Sequence, residues 1–310
     1  MRDRITEVGF SGTEKGADGD LALLERGIAE RLEMGATVCE LMATRLDAVS
    51  GCRLVAHRVA ALRAVLARHA TRYTLHAPIA VNLMDEAHRD LQIRAAEASL
   101  ELAAECEARI AVFHPGRVHP SVWADQSETL LAREREALAG LGDRAQALGV
   151  TIAYENMSPN RHIIAGNEAS YALSLAALAA QLGALDHPHV VACLDVSHAQ
   201  QGAVLQGFDL FEGVAALAPH VGHLHFSDCT GVPSTIRWDE EGERLFFGVG
   251  DMHAPPGFGR IDFDRLADRL TIRPGSALVI ELKVNHFGHS ARETLGAAQA
   301  FAARVNALNA

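Results

Sequence analysis

Residues 221–259 are dense in groups able to bind a cation or move a proton. An apolar run ends in His225 and Asp228, and a long polar excursion then delivers Asp251-Met252-His253 and a Pro/Gly-rich turn. Neutral imidazole and carboxylate are ligands that zinc, manganese and iron accept, and they are poor material for a core. The same residue types end other apolar runs: Glu40, His76, His114, Glu155, Asp195 with His198 just beyond it, and Glu281. Singly, each has an ordinary explanation, since a buried histidine is usually just hydrogen-bonded and an aspartate ending a strand often caps the next helix. Together the carboxylates would repel one another unless a cation were shared between them, so a divalent metal is the economical reading.

The metal candidates are His76, His114, Glu155, Asp195, His198, His225, Asp251, His253 and Glu281. They exceed the roughly four ligands that zinc takes or the roughly six of manganese. One to three ions of zinc, manganese or iron are therefore expected, with a glutamate bridging. His198, Asp251 and His253 come from segments beyond strand ends and form a semi-separate subset.

These residues need a scaffold that brings distant positions together. Apolar, β-rich runs occur at 5–11, 36–42, 73–78, 110–116, 150–157, 190–197, 221–228 and 277–283, each followed by a helix-like segment. Segments such as 21–34, 54–69 and 91–108 carry apolar residues at three- and four-residue spacing. Near-continuous apolar strands alternating with helices imply a parallel sheet covered by helices, and eight such units imply a closed (β/α)8 TIM barrel of the α/β class. A doubly wound open sheet is the alternative, but no Gly-rich dinucleotide fingerprint follows the first run. Nothing reads as an interdomain linker, so one domain over residues 1–310 is expected.

Two connections are long, 157–167 and 229–260, and both follow a strand, which places them at the catalytic face of such a barrel. The second is expected to contain a small hairpin, STIRW against RLFFG, and to act as a lid. Lys283 lies two residues after Glu281, on the same face of a strand, where it could hold an oxyanion or phosphate. Arg117, Arg161, His162, Arg237 and Arg260 fall in mouth loops suited to an anionic substrate, and Glu40 could meet a substrate hydroxyl. His223 alternates with His225 and is expected one layer deeper, as a structural residue.

The chain has 310 residues, 49% of them hydrophobic, and a formal net charge of −11. The acidic balance weighs mildly against a general nucleic-acid binder, and the expected partner is a small-molecule substrate. No apolar run is long enough for a membrane span, no secretory leader is evident, and the five cysteines lack CxxC spacing. A reduced cytoplasmic setting without a membrane partner is expected; homo-oligomer formation is left open.

The motifs HAPIAVN (76–82), FHPG (113–116), AYEN (153–156), CLDVSHA (193–199), HLHFSD (223–228), DMHAPPGFGRIDF (251–263) and IELK (280–283) resemble the xylose isomerase-like superfamily, which includes sugar isomerases, sugar epimerases and endonuclease IV. The resemblance implies that Glu155, Asp195, His225 and Glu281 hold a central metal. Likeness to endonuclease IV (AP endonuclease family 2) would add a second ion on His76 and His114 and a third on His198, Asp251 and His253. The surroundings depart from that enzyme: ENMSP, LDVSHA and HFSDCT stand where its signatures read ENTAG-, DTCHA- and HLNDSK-like. DMHAPPGFGRIDF looks more like the sugar isomerase/epimerase members.

The expected function is a divalent-metal-dependent isomerase or epimerase of a small sugar, sugar phosphate or polyhydroxy compound. Glu155 and Glu281 would exchange the proton through a metal-stabilised enediolate, with Lys283 assisting. A multinuclear-metal hydrolase of the endonuclease IV type, cleaving a phosphodiester, is the first alternative. A non-catalytic metal-binding protein is the second.

Overall fold

Eight buried strands close into a parallel barrel in the computed structural model, which describes residues 4–11 and 18–309. They are β1 (Ile5–Ser11), β2 (Val38–Met42), β3 (Arg72–His76), β4 (Ala108–Phe113), β5 (Thr151–Glu155), β6 (Val190–Asp195), β7 (Val221–Phe226) and β8 (Ser276–Ile280). Each pairs in parallel with its sequence neighbours, and β8 returns to β1 to close the ring. The fold is thus the (β/α)8 barrel expected. Its strands read as apolar runs because both faces are covered, one by helices and one by the barrel interior.

Most of the core lies between the barrel and its helices. A small group of Val112, Ala153, Val191 and Cys193 fills part of the barrel interior. Local signals set the helix ends. Asp20 caps Leu21–Met34, Pro120 opens Pro120–Leu148, and Gly35, Gly149 and Gly207 end helices in left-handed conformation. At Gly9 the β1 backbone approaches β2 so closely that an added Cβ would sit 1.7 Å from the Val38 carbonyl oxygen. No described helix is long and apolar enough to cross a membrane, and all five cysteines are free.

The strands end earlier than the apolar runs suggested. β8 stops at Ile280, so Glu281 and Lys283 lie in the loop beyond it, and Lys283 precedes a short helix, Val284–Phe287. The hairpin expected in 229–260 is absent. In its place Glu241–Phe247 is a helix, begun by a capping box between Glu240 and Glu243 and ended by left-handed Gly248. The 157–167 loop carries the short helix Arg161–Ile164, capped by the Asn160 side chain.

One buried carboxylate outside the mouth organises two of its loops. Glu134, on Pro120–Leu148, is fully buried and accepts hydrogen bonds from Tyr154 Oη (2.6 Å), Tyr171 Oη (2.7 Å), Gly116 N (2.7 Å) and Gln181 Nε2 (3.0 Å). It thereby ties the segment after β4 to β5. Glu134→Ala strands these donors, each at a cost of about 1–3 kcal/mol. A loss of several kcal/mol in denaturant-measured stability is expected, and a change below about 1 kcal/mol would contradict this role.

Candidate metal centre at the barrel mouth

Strand ends carry most of the clustered side chains. His76 ends β3, His114 follows β4, Glu155 ends β5, Asp195 ends β6, His225 is the penultimate residue of β7, and Glu281 follows β8. The register sets Asp195 directly opposite His225 on adjacent strands. His76, His114, Glu155, Asp195, His198 and His225 are all buried, while Glu281, Asp251 and His253 are partly exposed.

Among the described residues four groups of ligand-type side chains result, one of them Cys193, His223 and His225 below the mouth and three contiguous ones built from the expected ligands. Glu155, Asp195, His225 and Glu281 form the central one; His76, His114 and Glu155 form a second; His198, Asp251 and His253 form an outer one. Within each, one donor atom per residue lies within 4.8 Å of the others. Glu155 links the first two, its Oε1 lying 3.0 Å from His225 Nδ1 and its Oε2 lying 3.0 Å from His114 Nε2 and 3.4 Å from His76 Nε2. The outer cluster joins the central one through His253 Nδ1, 3.4 Å from Glu281 Oε2. In the outer cluster itself, Asp251 Oδ2 is 2.5 Å from His253 Nε2 and 3.3 Å from His198 Nε2.

The donor set fits a divalent cation. Asp195 uses Oδ1 to cap the following helix, accepting from His198 N at 2.6 Å, while its buried Oδ2 has no hydrogen-bond partner. Glu155 Oε2 also accepts no hydrogen bond although two imidazole nitrogens stand close to it. Donor atoms that crowd together without hydrogen-bonding are arranged like ligands around a shared point. The rings are held from behind, His76 Nδ1 by the Ala77 carbonyl at 2.8 Å and His198 Nδ1 by the Asn156 carbonyl at 2.9 Å. Such partners orient a ligating ring.

Several supporting residues were not among the expected site residues. Asn156 pairs with the Asp195 backbone through both ends of its amide, Nδ2 to O at 3.0 Å and Oδ1 from N at 2.8 Å, locking the ends of β5 and β6 together. Gln201 Nε2 donates to Asp251 Oδ1 at 3.2 Å, Ser11 Oγ to Glu281 Oε1 at 3.2 Å, and Arg244 to the Asp251 carbonyl. His253 adopts a left-handed backbone, φ 45°, a strained conformation of the kind found at functional sites.

Other expectations need correction. Asp228 is turned away from ligand duty: its carboxylate accepts the backbone N–H groups of Gly257, Gly259 and Ile261 and so builds the Pro/Gly turn. Glu40 is buried at 1% exposure and lies mid-strand in β2, not at its end. Lys283 is off the strand and pairs with Glu241 of the 241–247 helix at 3.0 Å. Arg117 is bound to the Ile79 carbonyl, Arg161 lies exposed against exposed His162, Arg237 pairs with Asp239, and Arg260 is exposed. None of these arginines forms an ion pair with the clustered ligands. His223 is buried, as expected, one layer below His225.

Comparison with known proteins places the geometry in context. A family model described as "Xylose isomerase-like TIM barrel" matches residues 28–304. A search of curated proteins finds no match. Among solved structures, a D-tagatose 3-epimerase-like protein superposes with a TM-score of 0.69 at 19% identity, covering 98% of this chain and 100% of the other. A D-psicose 3-epimerase, solved in the presence of D-fructose, gives 0.67 at 16%, covering 98% and 100%. A Thermus thermophilus protein, TTHB071, soaked with zinc chloride, gives 0.61 at 22%, covering 97% and 98%.

The clustered charges make stability pH-dependent in a stated direction. Burial, reinforced by Glu281, Glu155 and Asp251 against the pull of His198, pushes the Asp195 carboxyl up to about 7. Burial pulls His253 down, but Asp251 beside it raises it to about 9. Both groups hold a proton more tightly folded than unfolded. Their stabilising contribution is complete below the unfolded pKa and is lost as pH rises through about 7 for Asp195 and about 9 for His253. The chelated protein is therefore expected to melt at lower temperature as pH rises across that window. Saturating zinc or manganese should abolish or reverse the trend, because metal binding favours deprotonated ligands. Melting curves with and without chelator check this, and a chelated protein that stabilises across the window would contradict it.

Proposed function

Because the chain belongs to the xylose isomerase-like TIM barrel family, we propose that it is a divalent-metal-dependent isomerase or epimerase of a small sugar or polyhydroxy compound. The observation that carries this reading is the central cluster, in which Glu155 and Glu281 approach from β5 and from beyond β8, flanking Asp195 and His225. A divalent ion held there would polarise neighbouring carbonyl and hydroxyl oxygens and acidify the C–H between them. Glu155 and Glu281 then divide the proton transfer, one removing the proton and the other returning it. Ser11 Oγ steadies Glu281 for that role. The sugar 3-epimerases among the structural neighbours support the same substrate class.

Residues 229–260 act as a lid in this reading. Their helix is tethered by Glu241 to Lys283 and by Arg244 to the Asp251 carbonyl. Glu241 thus engages both Lys283 and Arg244. The free thiols fit a reducing cytoplasm.

A second reading, a multinuclear-metal hydrolase, is favoured by one feature. The two oxygens of Glu155 face different clusters, as a carboxylate bridging two ions would. A bridging Glu155 could not also serve as a free base. Metal analysis together with two assays separates the readings. The isomerase predicts solvent-deuterium exchange into ketoses, and Glu155→Gln or Glu281→Gln should lower it by about 10²–10⁴-fold. Two or three tightly held ions with phosphodiester cleavage and no exchange would reverse the order.

A further inference from the structure

Glu40 has a place in the fold that no ordinary core carboxylate occupies. It lies on β2 beneath the central cluster, 1% exposed, and opposite Thr74 in the β2–β3 register. Its Oε2 accepts from Thr74 Oγ1 at 3.0 Å and lies 3.0 Å from His223 Nε2. Its Oε1 lies 3.1 Å from His225 Nε2, and neither of these two atoms has a hydrogen-bond partner. The other face of the same ring, His225 Nδ1, points to Glu155 Oε1 at 3.0 Å. A buried carboxylate held from two sides, with its remaining oxygen against the rear nitrogen of a cluster imidazole, is costly to keep unless it serves that imidazole.

We propose that Glu40 is a positioning residue for metal binding, acting through His225. With a metal bound and the ring proton on Nε2, facing Glu40, His225 would present the Nδ1 lone pair to the central cluster. The carboxylate behind the ring also raises the basicity of that nitrogen. His76 Nδ1 is backed by the neutral Ala77 carbonyl, His198 Nδ1 bonds the Asn156 carbonyl with Glu155 Oε1 farther off at 3.4 Å, and the rear nitrogen of His114 has no hydrogen-bond partner. The central cluster is consequently the tightest of the three sites and fills first. Thr74 and His223 fix Oε2, so that Oε1 is the oxygen presented to His225.

The inference rests on the metal reading of the central cluster but not on the reaction proposed for it. The test is titration of the full-length, chelator-stripped protein with zinc or manganese, followed by the visible spectrum of its cobalt-loaded form. Glu40→Gln keeps the shape and removes the charge. It is expected to weaken the tightest site by about 10–100-fold and to shift the cobalt bands of that site, leaving the weaker sites unchanged. Thr74→Val, which removes only the hydroxyl that fixes Oε2, should weaken the same site by a smaller factor with an unaltered melting temperature in chelator.

Equal weakening of every site in Glu40→Gln would mark a general structural role and overturn the proposal, as would unchanged affinity and spectrum. Should Glu40→Gln not fold, Thr74→Val decides, and unchanged affinity there overturns it. A wild-type protein that takes up no metal would defeat the metal reading itself. Wild-type uptake with an unaffected variant would defeat only the role of Glu40.

Discussion

Carboxylates gathered where water is scarce are the constraint on which the rest of this structure depends. Glu40, Glu155 and Asp195 are essentially inaccessible, and Glu281 and Asp251 close the mouth above them. Charges so placed have little solvent to screen them, and like charges raise one another's energy. The chain answers by interleaving imidazoles: His225 stands between Glu40 and Glu155, and His253 between Asp251 and Glu281. It also divides the labour of single carboxylates. Asp195 caps a helix with one oxygen and keeps the other clear, while Glu155 faces separate clusters with its two.

The barrel supplies the rigidity that such crowding demands. Asn156 works as an extra rung of the sheet, continuing the β5–β6 ladder past its last backbone bond through its side-chain amide. Asp228 gathers three backbone N–H groups so that the segment following the strained His253 is held in one shape. Glu134 does the same on the outside of the barrel, where two tyrosines and a loop amide converge on it. In each case a polar side chain replaces backbone pairing at a place where the regular ladder has ended.

Much of the site was legible because barrel topology makes strand ends neighbours. His76, Glu155, Asp195 and His225 lie at or next to the ends of strands marked by their apolar runs, and the structure gathers them. Glu40 was misplaced because the run 36–42 has no mark of depth: it is the third of five residues in β2, below the mouth. Lys283 was misplaced because the apolar run outlasts the strand, which stops at Ile280. The aromatic pair Phe246-Phe247 resembled a strand, yet the Glu240–Glu243 capping box made a helix of that segment.

Sequence alone therefore determined the barrel, the order of its strands and the chemical types assembled at its mouth. Near-continuous apolar runs and strand–helix alternation are local properties, written in the chain wherever both faces of a strand are buried. Only tertiary structure decided which nitrogen of His225 faces the cluster, that Glu40 stands behind it, and that Lys283 is held by Glu241 of the 241–247 helix. Those choices depend on depth along the barrel axis and on loops without periodicity. Both are set by how eight strands close on one another rather than by any segment read singly.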